Sequence, residues 1–400
     1  MKKHLLLCAA LVLSSLCWAQ EKGTPAAENK KANENSTEVA KEKGVSVYSN
    51  DFTYTPYTPT FKSDGTTKKI KNVILMIGDG MGMSQAVAAY YANNNALSIL
   101  SLKNMGYVRT YSASHFTTDS AASGTTYGCG VKTKNGYVGV TPDGEKKANV
   151  PEKIDAQGFA TGIVTTDNIS GATPSSFYAH SSSRNASKDI LVQMKDSPLD
   201  FFAGGCVTLW NKYAPGEIDN LKKDGWTIIN DYKKIGENMQ AQRIGLVAYD
   251  KDVAPIMNGR GDFLPSTVKQ AIAYLSQKSK KGFFMMVEGA QIDWGCHNND
   301  SKYAITEVID FDMAVSEALR FADENGETLV IITADHETGG MTMPNGDYKT
   351  RSVRGVFTTG GHSGVMVPIY AYGPYSQLFR GVQENTDVHH KIIEILSKVK

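Results

Sequence analysis

The stretch 72-NVILMIGDGMG-82 carries an unbroken apolar run, Val73 to Ile77, straight into an aspartate held between glycines. A short apolar run closed by glycine reads as a strand buried on both faces, the environment that parallel sheets provide. Similar runs at 159–165, 282–287, 328–333 and 367–372 read as further buried strands. Helical patterns near 83–93, 266–279, 304–323 and 386–398 separate them. The alternation predicts an α/β fold, a central mostly parallel β-sheet flanked by helices on both faces. Ligands of such sheets bind beyond the carboxyl ends of the strands.

Metal-type residues stand where those strands end. Asp79 follows 72–78, Glu288 follows 283-FFMMV-287, and Asp335 and His336 follow 328-TLVIITA-334. A single carboxylate after a strand more often caps a helix or serves a turn. Three strand ends delivering oxygen and nitrogen donors to one rim point instead to ligation. Asp293 and His297 lie four apart, and at ~100° per residue a helical turn sets both on one face. The alternative is a buried histidine satisfied by an acid. Asp335 and His336 are adjacent, so they can address one ion only if the strand has already ended. His362, in 359-TGGHSG-364, is placed so that a loop could bring it to the same rim. Mixed oxygen and nitrogen donors without thiolate suit zinc, and an all-oxygen set such as Asp79, Thr173 and Glu288 suits magnesium.

Ser120 lies in 117-TTDSAASGTTYG-128, where small residues after an Asp-Ser pair could open a helix with its N–H groups aimed at an anion. The plainer reading is a helix cap. A serine hydroxyl needs activation, and no general base is evident nearby in sequence, so a metal would have to take that part. Arg184, in 180-HSSSRN-185, offers a planar fork that fits two phosphate oxygens, although an isolated Arg is usually a solvated surface charge.

The rest of the chain bounds the setting. With 42 basic and 41 acidic residues among 400, the balance gives no electrostatic argument for nucleic acid or an anionic membrane surface. Residues 1–19 join Lys2 and Lys3 to an apolar stretch and end in Cys17-Trp18-Ala19, the pattern of a cleaved export signal. The apolar part is shorter than the ~20 residues of a spanning helix, and Leu16 and Ser14 fit lipidation at Cys17 poorly. Soluble export to a secreted or periplasmic location is the expectation, with no transmembrane segment after cleavage. Residues 20–45 read as a disordered, solvated tether. Residues 46–69 read as an extended N-terminal arm, rich in Tyr and Phe, that packs on the domain or on another subunit. The catalytic domain is expected over 70–400, with 205–262 as an insertion over one sheet edge. Cys129, Cys206 and Cys296 remain after signal removal, enough for one internal disulfide at most.

Taken in order, GDGMG at 78–82, TDSAASGTT at 118–126, ATPSSFYAHSSSR at 172–184, VEGAQID at 287–293 with His297, TADH at 333–336 and GGHSG at 360–364 resemble the alkaline phosphatase family. The resemblance covers roughly 70–400. It implies a phosphoseryl intermediate on Ser120 during hydrolysis of small phosphomonoesters, inorganic phosphate as product, and usually a homodimer. It also implies two zinc ions and one magnesium ion. Asp293, His297 and His362 would hold one zinc, and Asp79, Asp335 and His336 the other. Thr173, Glu288 and the shared Asp79 would hold magnesium, while Arg184, oriented by Asp119, would clamp the phosphate. Two positions depart from the best-known bacterial form, which has Asp and Lys where this chain has Gly171 and Trp294. Their loss predicts weaker phosphate retention and faster product release.

Other readings fit less well. A sulfatase needs a proline and an arginine after its modified nucleophile, where Ala122 and Gly124 stand. A cytoplasmic phosphoglycerate mutase conflicts with the export signal, and a phosphodiesterase is the enzymatic runner-up. A phosphate- or metal-binding protein without turnover would leave the nucleophile and clamp unexplained. His115, His180, His389 and His390 read as structural, and Cys296 as a small buried thiol.

Overall fold

A computed structural model describes residues 44–250 and 253–399. The expected signal over 1–19, and all but the end of the 20–45 tether, lie outside them. Ten strands form the main sheet. In spatial order they are Gly381–Glu384, Asn104–Arg109, Val367–Tyr372, Thr328–Thr333, Asn72–Gly78, Phe283–Gly289, Ala160–Asn168, Phe201–Gly205, Arg243–Val247 and Trp226–Ile229. All neighbouring pairs are parallel except those of Val367–Tyr372, which runs antiparallel to both its partners.

The expected all-apolar strands are buried along their whole length, as a sheet covered on both faces requires. Their register sets up the site. Ile77 lies opposite both Glu288 and Thr333, and Thr165 opposite Glu288, so four strands finish at one level. The antiparallel strand aligns Ile369 with Thr333, and its amino end, preceded by His362, therefore reaches the same rim.

Helices cross between the strands. Ser301–Asn325 begins earlier than its apolar periodicity predicts because Asp300 caps it, accepting from the N–H groups of Lys302 (2.9 Å) and Tyr303 (3.1 Å). Within 205–262, Trp226–Ile229 and Arg243–Val247 extend the sheet at its edge. Their shortness and the Gly and Trp around them hide the strand pattern. The Val45–Ser49 strand pairs with Ser352–Phe357, and further along the arm the Tyr57 hydroxyl donates to Asp323 at 2.7 Å. Cys129, Cys206 and Cys296 are buried and no disulfide joins them. No helix among the described residues is long and apolar enough to cross a membrane.

Candidate active site

Each strand end turns immediately into a loop or helix that aims a side chain over the rim. After Gly78, Gly80 takes φ +72°, and a Cβ there would sit 2.8 Å from Thr338 Oγ1 and 2.9 Å from Asp293 Cα. Only glycine allows the Asp79 turn to approach that closely. The strand before Asp335 ends at Thr333, so Asp335 and His336 escape the alternation of a strand and both face the cluster. Helix Gln291–His297 sets Asp293 and His297 one turn apart, with Asp293 Oδ2 3.1 Å from His297 Nε2. A two-residue ladder, Glu337–Thr338 against His362–Ser363, brings His362 beside His336.

Two trios result, Asp293 with His297 and His362, and Asp79 with Asp335 and His336. Within each, the potential ligand atoms all lie within 4.8 Å of one another. The histidine nitrogens show which atoms face inward. His297 Nδ1 is 2.7 Å from the Gly360 carbonyl and His362 Nδ1 is 2.9 Å from the Thr118 carbonyl. Those contacts place a ring proton on each Nδ1 and turn both Nε2 atoms inward, 3.3 Å apart, with His297 Nε2 also against Asp293. His336 Nδ1 meets Thr338 Oγ1 at 3.1 Å, and that hydroxyl in turn donates to Asp293 Oδ1 at 2.5 Å. His336 Nε2 therefore faces Asp335 Oδ2 at 3.2 Å and Asp79 Oδ1 at 3.5 Å with its lone pair. Burial holds His336 well below the ordinary imidazole range, so it cannot answer those carboxylates with its own charge.

The acids are equally unbalanced. Burial, then the charges of Asp335 and Asp293, push Asp79 well above the usual carboxylate range. Burial raises Asp335 to about 6, and Glu288 to about 8 with the charge of Asp167 as the next cause. Asp293 is the exception. Burial pushes it up, but the hydrogen bond from His297 and the neighbouring imidazoles bring it down to about 2. The bond to Asp293 raises His297 to about 9. Asp79 Oδ1, Asp335 Oδ2 and Thr173 Oγ1 are buried without a well-formed hydrogen bond. Orphaned oxygens beside inward lone pairs are the donor set of a cation, and the Asp/His chemistry fits zinc-type sites. Thr173 opens the short helix Ala172–Ser175 and, with Glu288, supplies only oxygen.

Ser120 is the first residue of helix Ser120–Cys129, with Asp119 as its cap accepting from Ala122 N at 2.9 Å. Cap and candidate nucleophile are thus neighbours. Ser120 Oγ lies 3.2 Å from His336 Nε2. That distance alone would also suit a general base, but an imidazole held so far below its ordinary range accepts a proton poorly. Arg184 Nη1 donates to Asp119 Oδ2 at 3.1 Å, and Gly136 N–H donates to the same oxygen at 2.9 Å. The guanidinium is thereby held near the head of the Ser120 helix.

All eleven residues singled out in sequence lie around the strand ends or on the segments packed over them. The sequence reading missed Thr338 and Thr165, hydroxyls that orient Asp293, His336 and Glu288. Thr338 follows TADH by two residues, which was the available signal. Outside the site, His180 bridges the Gly139 carbonyl (2.6 Å) and Glu152 (2.9 Å), and His389 is buried against the Tyr127 carbonyl. Cys296 is a buried thiol that burial pushes well up.

A doubly covered α/β sheet with a serine at a helix head among side chains that could hold metal ions is the arrangement of a metal-dependent hydrolase. The alkaline phosphatase family model matches residues 70–212, 216–354 and 341–398. Alkaline phosphatase 4 of Bacillus subtilis is 31% identical, the match covering 83% of this chain and 90% of that protein. The alkaline phosphatase of the Antarctic bacterium TAB5 superposes with a TM-score of 0.79 at 38% identity, over 82% of this chain and 99% of that one. A mutant of that enzyme, 37% identical with a TM-score of 0.78, has Mg bound in its M3 site. The chain belongs to the alkaline phosphatase family.

Proposed function

We propose that this alkaline phosphatase hydrolyses small phosphate monoesters through a phosphoseryl intermediate on Ser120, with two zinc ions and one magnesium ion as cofactors. The observation that carries the reading is the convergence of Ser120 Oγ, Asp79 and Asp335 on His336 Nε2, a buried imidazole without charge of its own. Asp293, His297 and His362 would hold one zinc, Asp79, Asp335 and His336 the second, and Asp79, Thr173 and Glu288 the magnesium. Bound there, such cations supply Lewis acidity, making hydroxyl groups and water more acidic and offsetting charge on a departing oxygen.

Arg184, braced by Asp119, binds two non-bridging phosphate oxygens through its fork and aligns phosphorus with Ser120. Ser120 Oγ forms a bond to phosphorus as the bond to the alcohol oxygen breaks, and the alcohol leaves. Water then attacks phosphorus from the opposite side, the Ser120 ester opens, and inorganic phosphate departs. Two in-line displacements retain configuration at phosphorus. The carbonyls of Gly360 and Thr118 and the hydroxyl of Thr338 hold His297, His362 and His336 with Nδ1 protonated throughout.

Two further elements belong to the reading. The charged start, apolar stretch and small residues of 1–19 support export to the periplasm or medium. The alkaline phosphatase resemblance also implies a homodimer.

Turnover of a chromogenic monoester and of a diester, by the protein and by Ser120→Ala, tests the function. The expected result is monoester preference and a loss of about 10³-fold or more in Ser120→Ala. Equal diester turnover, or full activity in the variant, would overturn it.

A further inference from the structure

Gly171 has φ −54°, a backbone that any residue adopts, so its lack of a side chain has another cause. A Cβ at 171 would lie 2.2 Å from Asp167 Oδ2 and 2.9 Å from Asp167 Cγ. The space is taken by the Asp167 carboxylate.

Asp167 gets there through an irregularity in its strand. The pairing of Ala160–Asn168 with Phe201–Gly205 shifts register between Val164 and Asn168, the kind of bulge that re-aims a side chain. Its carboxylate is then fixed, Oδ1 accepting from Asn168 N at 2.6 Å and from Asn168 Nδ2 at 2.8 Å. Its backbone N–H donates to Thr165 Oγ1 at 2.9 Å, and the Thr165 hydroxyl donates to Glu288. Asp167 and Gly171 line one cavity of about 300 Å³ with Ala172 and Arg184. Thr173, whose buried hydroxyl lies beside Glu288, is two residues along the chain.

We infer that Asp167 is a positioning residue for the oxygen-only cation site of Asp79, Thr173 and Glu288, holding the water shell of a divalent cation from the space a residue-171 side chain would fill. The inference rests on the magnesium site of the proposed function. Its chemistry is that of an outer carboxylate: it accepts hydrogen bonds from metal-bound water, adds negative charge beside Glu288, and fixes Glu288 through Thr165. A glycine at 171 is then the necessary counterpart of an aspartate at 167.

The test is calorimetric titration of Mg²⁺ into the zinc-loaded protein, with zinc content and melting temperature as controls. Asp167→Asn should weaken Mg²⁺ binding about tenfold or more while zinc content holds. The exchange Asp167→Gly with Gly171→Asp, which moves the carboxylate across the vacated space, should restore affinity to within about threefold of the original. If Asp167→Asn does not fold, the exchange variant decides against the native protein, and affinity about tenfold or more below native overturns the inference. Unchanged Mg²⁺ affinity in Asp167→Asn, or an exchange variant that binds no more tightly than Asp167→Asn, would overturn the inference and leave the magnesium site standing. A native protein that takes up no Mg²⁺ would overturn that site and the inference together.

Discussion

Among the described residues, two clusters of buried acids are balanced in opposite ways. Beneath residues 253–262, Glu307 and Asp310 share Arg260, whose Nη2 donates to Asp310 at 2.7 Å and also to Glu307. All three are buried, and the acids bring their own cation. At the strand ends, Asp79, Glu288 and Asp335 are as deeply buried. Their nearest guanidinium, Arg184, is committed to Asp119, and imidazole lone pairs point in among them. Removing a carboxylate from water costs several kcal/mol unless a counter-charge meets it. A cluster that carries its counter-charge is architecture, and one that lacks it is the kind that a cation from solution can complete.

The largest expected effect comes from withholding those cations. Dialysis against a chelator should lower monoester turnover by about 10³-fold or more, with zinc and magnesium restoring it. Activity that survives metal-free dialysis would erase the distinction between the clusters.

The second cluster should fail by losing a residue instead. Arg260→Met leaves two acids uncompensated and should cost on the order of 3–5 kcal/mol in denaturant unfolding. Replacing the whole trio with Arg260→Met, Glu307→Leu and Asp310→Leu should recover most of that, since matched apolar groups often serve as well. A single variant within about 1 kcal/mol of the original would show that Arg260 is not the balancing charge.

A smaller effect tests how complete that balance is. Burial raises Glu307 to about 7 against the opposing charge of Arg260. A raised folded value means that its contribution is full below the ordinary 4.5 and is lost as pH rises through about 7. Between pH 5 and 8 the native protein should lose on the order of 2–3 kcal/mol relative to Glu307→Gln. Parallel stability profiles for the two would contradict it.

The smallest effect adds a cation at the rim of the unbalanced cluster. Trp294, half-buried beside Asp293, is the position at which the best-known bacterial form carries Lys. Trp294→Lys should tighten inhibition by inorganic phosphate roughly fivefold, about 1 kcal/mol. Unchanged or weaker inhibition would mean that position 294 does not address phosphate.

Much of this was legible in the residues. The apolar runs leading to Asp79, Glu288 and Asp335-His336 announced both the sheet and the rim, because uninterrupted apolar runs suit strands buried on both faces and their charged residues come only at the carboxyl ends. The pairing of Asp293 with His297 followed from helical spacing. What stayed hidden depended on partners far along the chain. The Trp226–Ile229 and Arg243–Val247 strands are too short to show a period. Thr338 orients Asp293 only through the ladder that folds residues 337–338 onto 362–363. Gly171 reads as a lost carboxylate until Asp167 is seen in its space, a relation fixed by one register shift.

The central claim, that Ser120 accepts the phosphoryl group, is tested most directly by acid quench during turnover followed by peptide mass analysis. The predicted result is phosphate on the peptide bearing Ser120, absent after chelation and in Ser120→Ala. Phosphate on another residue, or turnover with no phosphorylated Ser120 at any quench time while Ser120→Ala remains active, would contradict the account.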